Sequence, residues 1–418
     1  MSLTTSTHFA SCIASGTDWR DTSKEVLEQL QSIRTSGDKF NIGFIYVSDQ
    51  LAGDMESIVG LFRSVLNIEQ WTGTVGIGVC GNGQEIVDRP AISAMIGYMG
   101  EDEFCFFEYT HDKTPDHLKA WLAAHPPMLM LAHADPAAEE DPALVIENLS
   151  ERTQGFIVGG LSSSRSEHAI IHGHSLAGAD IGGVAFSQNV PVATTLSQGC
   201  KPLGPTHRIT TADTHYIAKL DDDRALDVFE SDVRSMAMKQ MGAGQNRTPV
   251  TIKTETASEA MGAQPLFKGE IHAAFPISNS DQDDYLVRNL IGIDPDTGYI
   301  GVAQPMMTGD QIMFVHRDNE TLCADLSAKL VALRKRVMRD TGEFKPKAAI
   351  YVSCVARAFD GLMSGTPELI HDDGSSNISE MALVRDVIGD VPLTGFYAGG
   401  EISNARLYGY TGVLTLFL

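Results

Sequence analysis

From Phe40 onward the chain alternates short, almost unbroken apolar runs with segments of helical period. NIGFIYVS reads as a strand, and DMESIVGLFRSVL puts Met55, Ile58, Val59, Phe62 and Leu66 at helical spacing. WTGTVGIGVC and AISAMIGYM follow as strands around the turn-forming GNGQEI, which gives a β-α-β-loop-β order over about residues 40–99. The order recurs in PMLMLAHAD, DPALVIENLSERT with Pro142 in its first turn, GFIVGG, the loop LSSSRSE and IGGVAF at 181–186. It recurs again in KAAIYVSCVAR, SNISEMALVRDVIG and PLTGFYAGGEISNARLYGYTGVLTLFL. The expected fold is α/β, with two related domains of mixed β-sheet flanked by helices and built from this repeated unit.

Between the second and third units the pattern is mostly β, with a helical stretch ALDVFESDVRSMAMKQM that could join the halves. GQNRTPVTIKTETASEAMGAQP is polar and without period, as in a long loop or flap. DDYLVRNLIGIDPDTGYIGVAQPMMTGDQIMFVHRD then reads as consecutive strands joined by tight turns, ahead of the helix TLCADLSAKLVALRKRVM. A chain of 418 residues is too long for one ordinary core. The expected division is an N-terminal segment 1–36 and two domains, 37–224 and 225–418.

Charge narrows the partners. Lys plus Arg total 31 against 54 for Asp plus Glu, a formal net charge of −23, so the surface repels phosphate backbones and anionic bilayers. Nucleic acid and membrane are excluded as expected partners. The six cysteines lie far apart with no CxxC spacing, and no secretory leader or spanning apolar run is visible, so the expected location is the cytoplasm. No GxSxG elbow, Walker loop, HExxH or GxGxxG is present, and the chain reads as a non-enzyme.

Candidate chemistry gathers where strands meet loops. GVCGNGQEI at 78–86, GFIVGGLSS at 155–163 and GFYAGGEIS at 395–403 each place small residues at such a joint, and the first and last add an acid. These glycines serve either a tight turn or the close approach of a ligand. On the second reading Asn82, Gly83, Glu85, Gly159, Gly160, Ser162, Gly399, Gly400 and Glu401 line related sites. Cys354 ends a strand three residues before Arg357, where a cation favours a thiolate; its other reading is a small buried hydrophobe. Arg357 and Glu401 either clamp the charged ends of a ligand such as an amino acid or bridge each other. Arg288 and Asn289 in YLVRNLIG are polar groups in an apolar region, facing either a cleft or solvent. No metal site is predicted, although His172, His174, His272 and His316 could each ligate a haem iron.

The longer motifs resemble proteins with paired FIST N-terminal and FIST C-terminal domains. They are GVCGNGQEI, GFIVGGLSSS, GGVAFSQNVPVATTLSQGCKPLGP, YLVRNLIGIDPDTGYIGVAQPMMTGDQIMFVHRD, SCVAR, GDVPLTGFYAGGEI and YGYTGVLTLF. One departure stands out: the family reads Gly-Arg-Gly after its SCV-like start, whereas Cys354 here leads into Val355, Ala356, Arg357 and Ala358. The resemblance implies a signal-transduction sensor that binds a small ligand, with an amino acid or related metabolite as one class. It implies a separate output protein such as a kinase or cyclase. A haem-binding nitric oxide sensor is the alternative, and a thiol-dependent enzyme acting through Cys354 a third reading; otherwise no cofactor is expected.

Overall fold

The computed structural model describes residues 2–5, 8–33, 39–110, 114–176, 180–242, 271–277, 284–358 and 379–418. The segment 244–265, expected as a loop or flap, lies outside the described residues. The chain forms two compact units: Met1–Gln198 with Cys323–Leu418, and Gly199–Leu322. Compactness therefore groups residues differently from a cut near 224, because the larger unit draws on both sides of it.

In chain order the elements begin with β1 (Ser2–Thr5), β2 (Phe9–Ser15), α1 (Trp19–Ser32), β3 (Ile42–Ser48), α2 (Met55–Leu66), β4 (Gln70–Gly76), β5 (Gly78–Gly81), β6 (Gln84–Val87) and β7 (Ala91–Gly97). Next come β8 (Phe104–Tyr109), α3 (Asp116–Ala124), β9 (Pro127–Ala134), α4 (Pro142–Thr153), β10 (Ile157–Leu161), β11 (Ile170–Gly173), β12 (Ser175–Leu176), β13 (Ile181–Ser187) and β14 (Val192–Ser197). The smaller unit contributes β15 (Cys200–Pro202), β16 (His207–Asp213), β17 (Tyr216–Leu220), β18 (Asp223–Arg224), α5 (Ala225–Gly242), β19 (Ile271–Pro276), β20 (Tyr285–Asp294), β21 (Tyr299–Val302) and β22 (Gln311–Arg317). The chain then returns through α6 (Asn319–Thr341), β23 (Ala348–Cys354), α7 (Glu380–Ile388), β24 (Leu393–Ala398), β25 (Glu401–Ser403), β26 (Arg406–Tyr408) and β27 (Gly412–Phe417).

The larger unit contains three mixed sheets that share one strand pattern. Their own strands run β2-β7-β3-β4, β8-β13-β9-β10 and β14-β27-β23-β24, with β1 extending the first. In each, a strand–helix–strand crossover makes a parallel pair: β3 with β4, β9 with β10 and β23 with β24. The fifth and sixth places of this pattern are filled from elsewhere in the chain. Hairpin β11-β12 joins β4, β25-β26 joins β10, and β5-β6 joins β24, so the three segments exchange hairpins in a ring. In each receiving sheet a glycine sits so close to the neighbouring strand that a Cβ would strike its carbonyl oxygen: Gly73 at Ile45, Gly159 at Ala132 and Gly395 at Tyr351. Only glycine permits that approach.

Helices cover these sheets with their apolar stripes. Ile58, Val59, Phe62 and Leu66 of α2, with Val26, Leu27 and Leu30 of α1, pack on the first sheet. Val145, Ile146 and Leu149 of α4 and Leu118 of α3 pack on the second. Leu326, Leu330, Leu333 and Val337 of α6, with Met381 and Val384 of α7, pack on the third. Helix α4 begins as its sequence dictates, with Asp141 accepting from the Ala143 amide and Pro142 in the first turn. Where the three sheets meet, Tyr46, His133 and Phe396 touch, one from each; Tyr46 stacks on Phe396 at 4.8 Å, and its hydroxyl lies 3.1 Å from His133 Nε2. Ser163 ties the same centre: its amide donates to Val75, and its hydroxyl receives from Ile77 N at 2.9 Å and donates to Tyr397 O.

The smaller unit is a closed six-strand barrel in the order β22-β16-β17-β21-β20-β19, with β19 pairing back onto β22. Its core includes Ile209, Ile217, Ile300, Ile312 and Phe314, with Phe229 and Val233 of α5. Closure leaves no open edge in the ring. His207 is held between two carboxylates, with Nδ1 2.7 Å from Asp221 and Nε2 3.0 Å from Asp232 of α5. Burial works against its charge, but the two aspartates outweigh burial and raise its pKa.

Candidate functional site

A buried polar cluster joins the end of β23, in the third sheet, to the start of β25, which extends the second sheet. Cys354 closes β23 and Arg357 lies in the helical residues 355–358 that follow; both are buried. Glu401 opens β25 and has no exposed surface at all, 0%. Burial pushes its carboxyl up to about 7, against the pull of the Thr411 amide and hydroxyl and the charge of Arg357. Those two groups of Thr411 donate to Oε2 at 2.9 and 2.8 Å, while Oε1 meets no N–H or O–H donor and the Cys354 thiol lies against the carboxyl. A buried carboxylate oxygen without a donor is costly, and native folds rarely retain one without use.

Arg357 and Glu401, expected either to clamp a ligand together or to bridge each other, divide differently. Arg357 pairs with Glu380, at the head of α7, through Nε and Nη2, each 2.5 Å from Oε1. Its Nη1 donates to Ser197 O at 3.1 Å and Tyr410 O at 3.4 Å. Glu380 Oε2 takes the Ser353 hydroxyl at 2.7 Å and that of Tyr351 at 3.3 Å. Burial opposes the guanidinium's charge, but Glu380 outweighs it and holds Arg357 protonated. The Cys354 thiol moves opposite to the expected thiolate: burial, and next Glu401, push its pKa up. The cation three residues away is already spent on Glu380.

Glu85 and Glu401 align in sequence but occupy different strands of their hairpins. Glu85 is on the returning strand β6, where it receives the Ser379 hydroxyl at 2.7 Å and the Met381 amide at 2.8 Å, fastening the start of α7. The register itself sets Glu401 against other residues. Glu401 pairs with Gly160, one step after the close-approach Gly159. Val79 pairs with Phe396, one step after Gly395, and Ile170 with Thr74, one step after Gly73. Both are buried and apolar. The fold at this position accepts an aliphatic side chain twice and a carboxyl once.

The remaining predicted residues fall nearby or elsewhere. Asn82 and Gly83 form the β5-β6 turn with φ of 49° and 78°, the Asn-Gly chemistry of a type I′ hairpin, and Asn82 bonds Ser11 and the Leu393 amide. Gly160 abuts Ala398, Val352 and Gly400. Leu161 and the Gly399–Gly400 bend exchange backbone bonds of 3.1 and 2.8 Å, and the Ser162 hydroxyl bonds His168 Nδ1. Arg288 and Asn289 belong to β20 of the barrel, opposite Ala273 and His272. Glu380, Thr411, Ser353, Tyr351 and Ser163 were not singled out from sequence. Glu380 follows the cap Ser379 and reads as an ordinary first-turn acid, and Thr411 as a strand start.

A separate cavity of about 760 Å³ is lined by Phe40, Phe104 and Phe106, by Glu69, Glu101 and Glu108, and by His172 and His174, among others. Burial lowers the pKa of His172, its Nδ1 is 3.6 Å from Glu108, and its Nε2 has no hydrogen-bond partner. Among the described residues no group of three or more His, Cys, Asp or Glu is arranged to hold a metal ion, and no helix is long and apolar enough to cross a membrane.

Comparison with known proteins adds two family matches in tandem: a FIST N domain over residues 41–223 and a FIST C domain over 225–404. An uncharacterised protein of Mycobacterium tuberculosis is 25% identical over 359 residues, covering 83% of this chain and 83% of its own. One of Mycobacterium bovis is 27% identical over 285 residues, covering 66% of this chain and 64% of its own.

Proposed function

Since the chain belongs to the FIST family, whose domains are sensory signal-transduction domains, we propose that it binds a small ligand at the Glu401 cluster and passes occupancy to a separate output protein such as a kinase or cyclase. The observation that carries this reading is the fully buried carboxyl of Glu401, whose Oε1 meets no N–H or O–H donor, at a register where the other two sheets hold Val79 and Ile170. Nothing in the packing of this register requires an acid, which leaves recognition as its use. The shared strand pattern and hairpin exchange support descent of the three sheets from one repeated unit, with the barrel as an insertion between β14 and α6 of the third.

We read the cluster as non-catalytic, because its thiol is held protonated and its cation is tied to a carboxylate. The cytoplasm is the proposed location, supported by six unbridged cysteines. Native mass spectrometry of the purified protein tests the main reading: a small molecule should be retained at one per chain and lost in Glu401→Gln. Equal retention by that variant sinks it.

The second reading, a haem-binding nitric oxide sensor, draws support from the 760 Å³ cavity. His172, kept neutral by burial, would be the residue to hold the iron, and Phe40, Phe104 and Phe106 suit a flat apolar macrocycle. Bound haem would supply the iron that takes up the gas. The acidic groups Glu69, Glu101 and Glu108 repel haem propionates, which places this reading second. A stoichiometric Soret band lost in His172→Ala would move it to first.

A further inference from the structure

We propose that this chain associates with a second copy of itself through two helix faces of opposite charge, the outward face of α6 on one molecule and the outward face of α4 on the other. Helix α6 buries Leu326, Leu330, Leu333 and Val337 on the third sheet, and its opposite side presents Val331, Lys335, Met338 and Arg339 to solvent. Val331 is 42% and Met338 47% exposed, and the exposed Ala328 and Ala332 beside them leave room for another helix to lie close. Seven of the chain's 31 cations fall within residues 329–347, against two acids, in a chain whose net charge is −23. Arg334, Arg336 and Lys347 are turned onto carbonyls of the chain itself, those of Val387, Thr194 and Leu418. Lys335 and Arg339 stay at the surface.

Helix α4 has the complement. It buries Val145, Ile146 and Leu149 on the second sheet, and its opposite side carries Leu144, Glu147 and Glu151. Leu144 is 57% exposed, and residues 135–151 hold six acids and no Lys or Arg. Single exposed hydrophobics are ordinary, but those on α4 and α6 are each set among charges of one sign, and the two signs match. The spacing matches too: Glu147 and Glu151 are four residues apart, as are Lys335 and Arg339, about 6 Å along either helix. Like charges at that spacing disfavour their own helix, and each pair relieves the other. This chain carries both halves of the match, which names a second copy as the occupant. Because the two faces differ, the contact is heterologous and runs head to tail. A strip of this size is small for an interface, so association is weak and falls with salt.

Sedimentation equilibrium of the full chain at ~0.05 M and ~0.5 M salt tests the proposal. At low salt the weight-average mass should rise with concentration above that of one chain, and high salt should reverse the rise. One exposed ion pair changes affinity only a few-fold, so the variants reverse two charges at once. Lys335→Glu with Arg339→Glu makes both faces acidic, and Glu147→Lys with Glu151→Lys makes both basic. Each double variant alone should associate about tenfold more weakly than wild type or worse, while an equimolar mixture of the two should regain association. All four positions are exposed, and regained mass in the mixture itself shows that both variants fold. A wild type that stays monomeric at low salt overturns the proposal. So does self-association unmoved by either double variant, or a mixture no heavier than its parts. If a monomeric wild type instead binds a synthetic helical peptide of Leu and Glu, and the Lys335→Glu, Arg339→Glu variant does not, the α6 face belongs to an acidic segment of another protein and the second copy is ruled out.

Discussion

The third sheet of the larger unit and its first two sheets share one strand order, yet they are filled with different chemistry. In the first, Ile45, Val47, Ile92 and Ile171 close in an apolar cluster against α1 and α2. In the third, Tyr351, Ser353, Arg357 and Glu380 build an ion pair with hydroxyl support, and on β25, the strand that the second sheet receives, Glu401 stands where the first and third sheets hold Ile170 and Val79. The difference teaches which residues the architecture demands. Glycine at 73, 159 and 395 is demanded by backbone contact in all three sheets. The acid at 401 is demanded in none, so its reason lies outside packing.

The strongest way to break this comparison is to cut the ion pair. Arg357→Met should destabilise the protein by about 3–5 kcal/mol, because it strands a buried Glu380 carboxylate. The double change Arg357→Met with Glu380→Leu should recover most of that loss in urea melts. Recovery of nothing would mean the pair is not the source. Next in size, Ile170→Glu places an acid in the first sheet at the register of Glu401 without a Thr411 to meet it, at a cost of roughly 1–3 kcal/mol beyond lost packing. If this variant melts with wild type, Glu401 is no more specialised than its neighbours.

The pH dependence sharpens the contrast further. A carboxyl whose folded pKa is raised from 4.5 to about 7 binds more protons folded than unfolded in that interval. Its contribution to stability is therefore full below about 4.5 and is lost as pH rises through 7. In ligand-free protein, Glu401→Gln should flatten that fall between pH 5 and 7. His207 in the barrel has the same sign from a different cause: its raised pKa contributes stability present below 6.5 and lost as pH rises through the folded value. Histidine NMR in the Glu401→Gln background separates the two, and a slope unchanged by the substitution would assign the whole effect elsewhere. The smallest expected effect is that of Glu401→Val, which copies Val79 and should change ligand-free stability by less than about 1 kcal/mol while abolishing ligand response.

Local pattern made much of this legible. The apolar stripe of 55–66, the cap at Asp141–Pro142 and the runs at 42–48 and 348–354 appear as the elements their periods predict. Hairpin exchange was not legible, because β5 and β24 are brought together by contacts remote in sequence, and no local preference encodes a partner. For the same reason the loop alignment paired Glu85 with Glu401: text alone shows an acid after glycines, but not which strand of a hairpin carries it. Cys354, Arg357 and Glu401 stand out in the sequence because they are unusual at a strand end. Thr411 and Glu380 were not, since a threonine opening a strand and an acid opening a helix satisfy ordinary local rules.

The ring of exchanged hairpins sets an order on how the protein can be made. During synthesis from the N-terminus, the first sheet lacks its last two strands until β11 and β12 have emerged. Hairpin β5-β6 exists from early on but finds its partner only when β24 appears, near the end of the chain. The second sheet waits longer still, for β25 and β26. The edge of β10 therefore lacks its native partner through much of translation, and contacts this distant in sequence fold slowly. Emergence of β24 to β26, and not the completion of any one segment, is the event that lets the second and third sheets close.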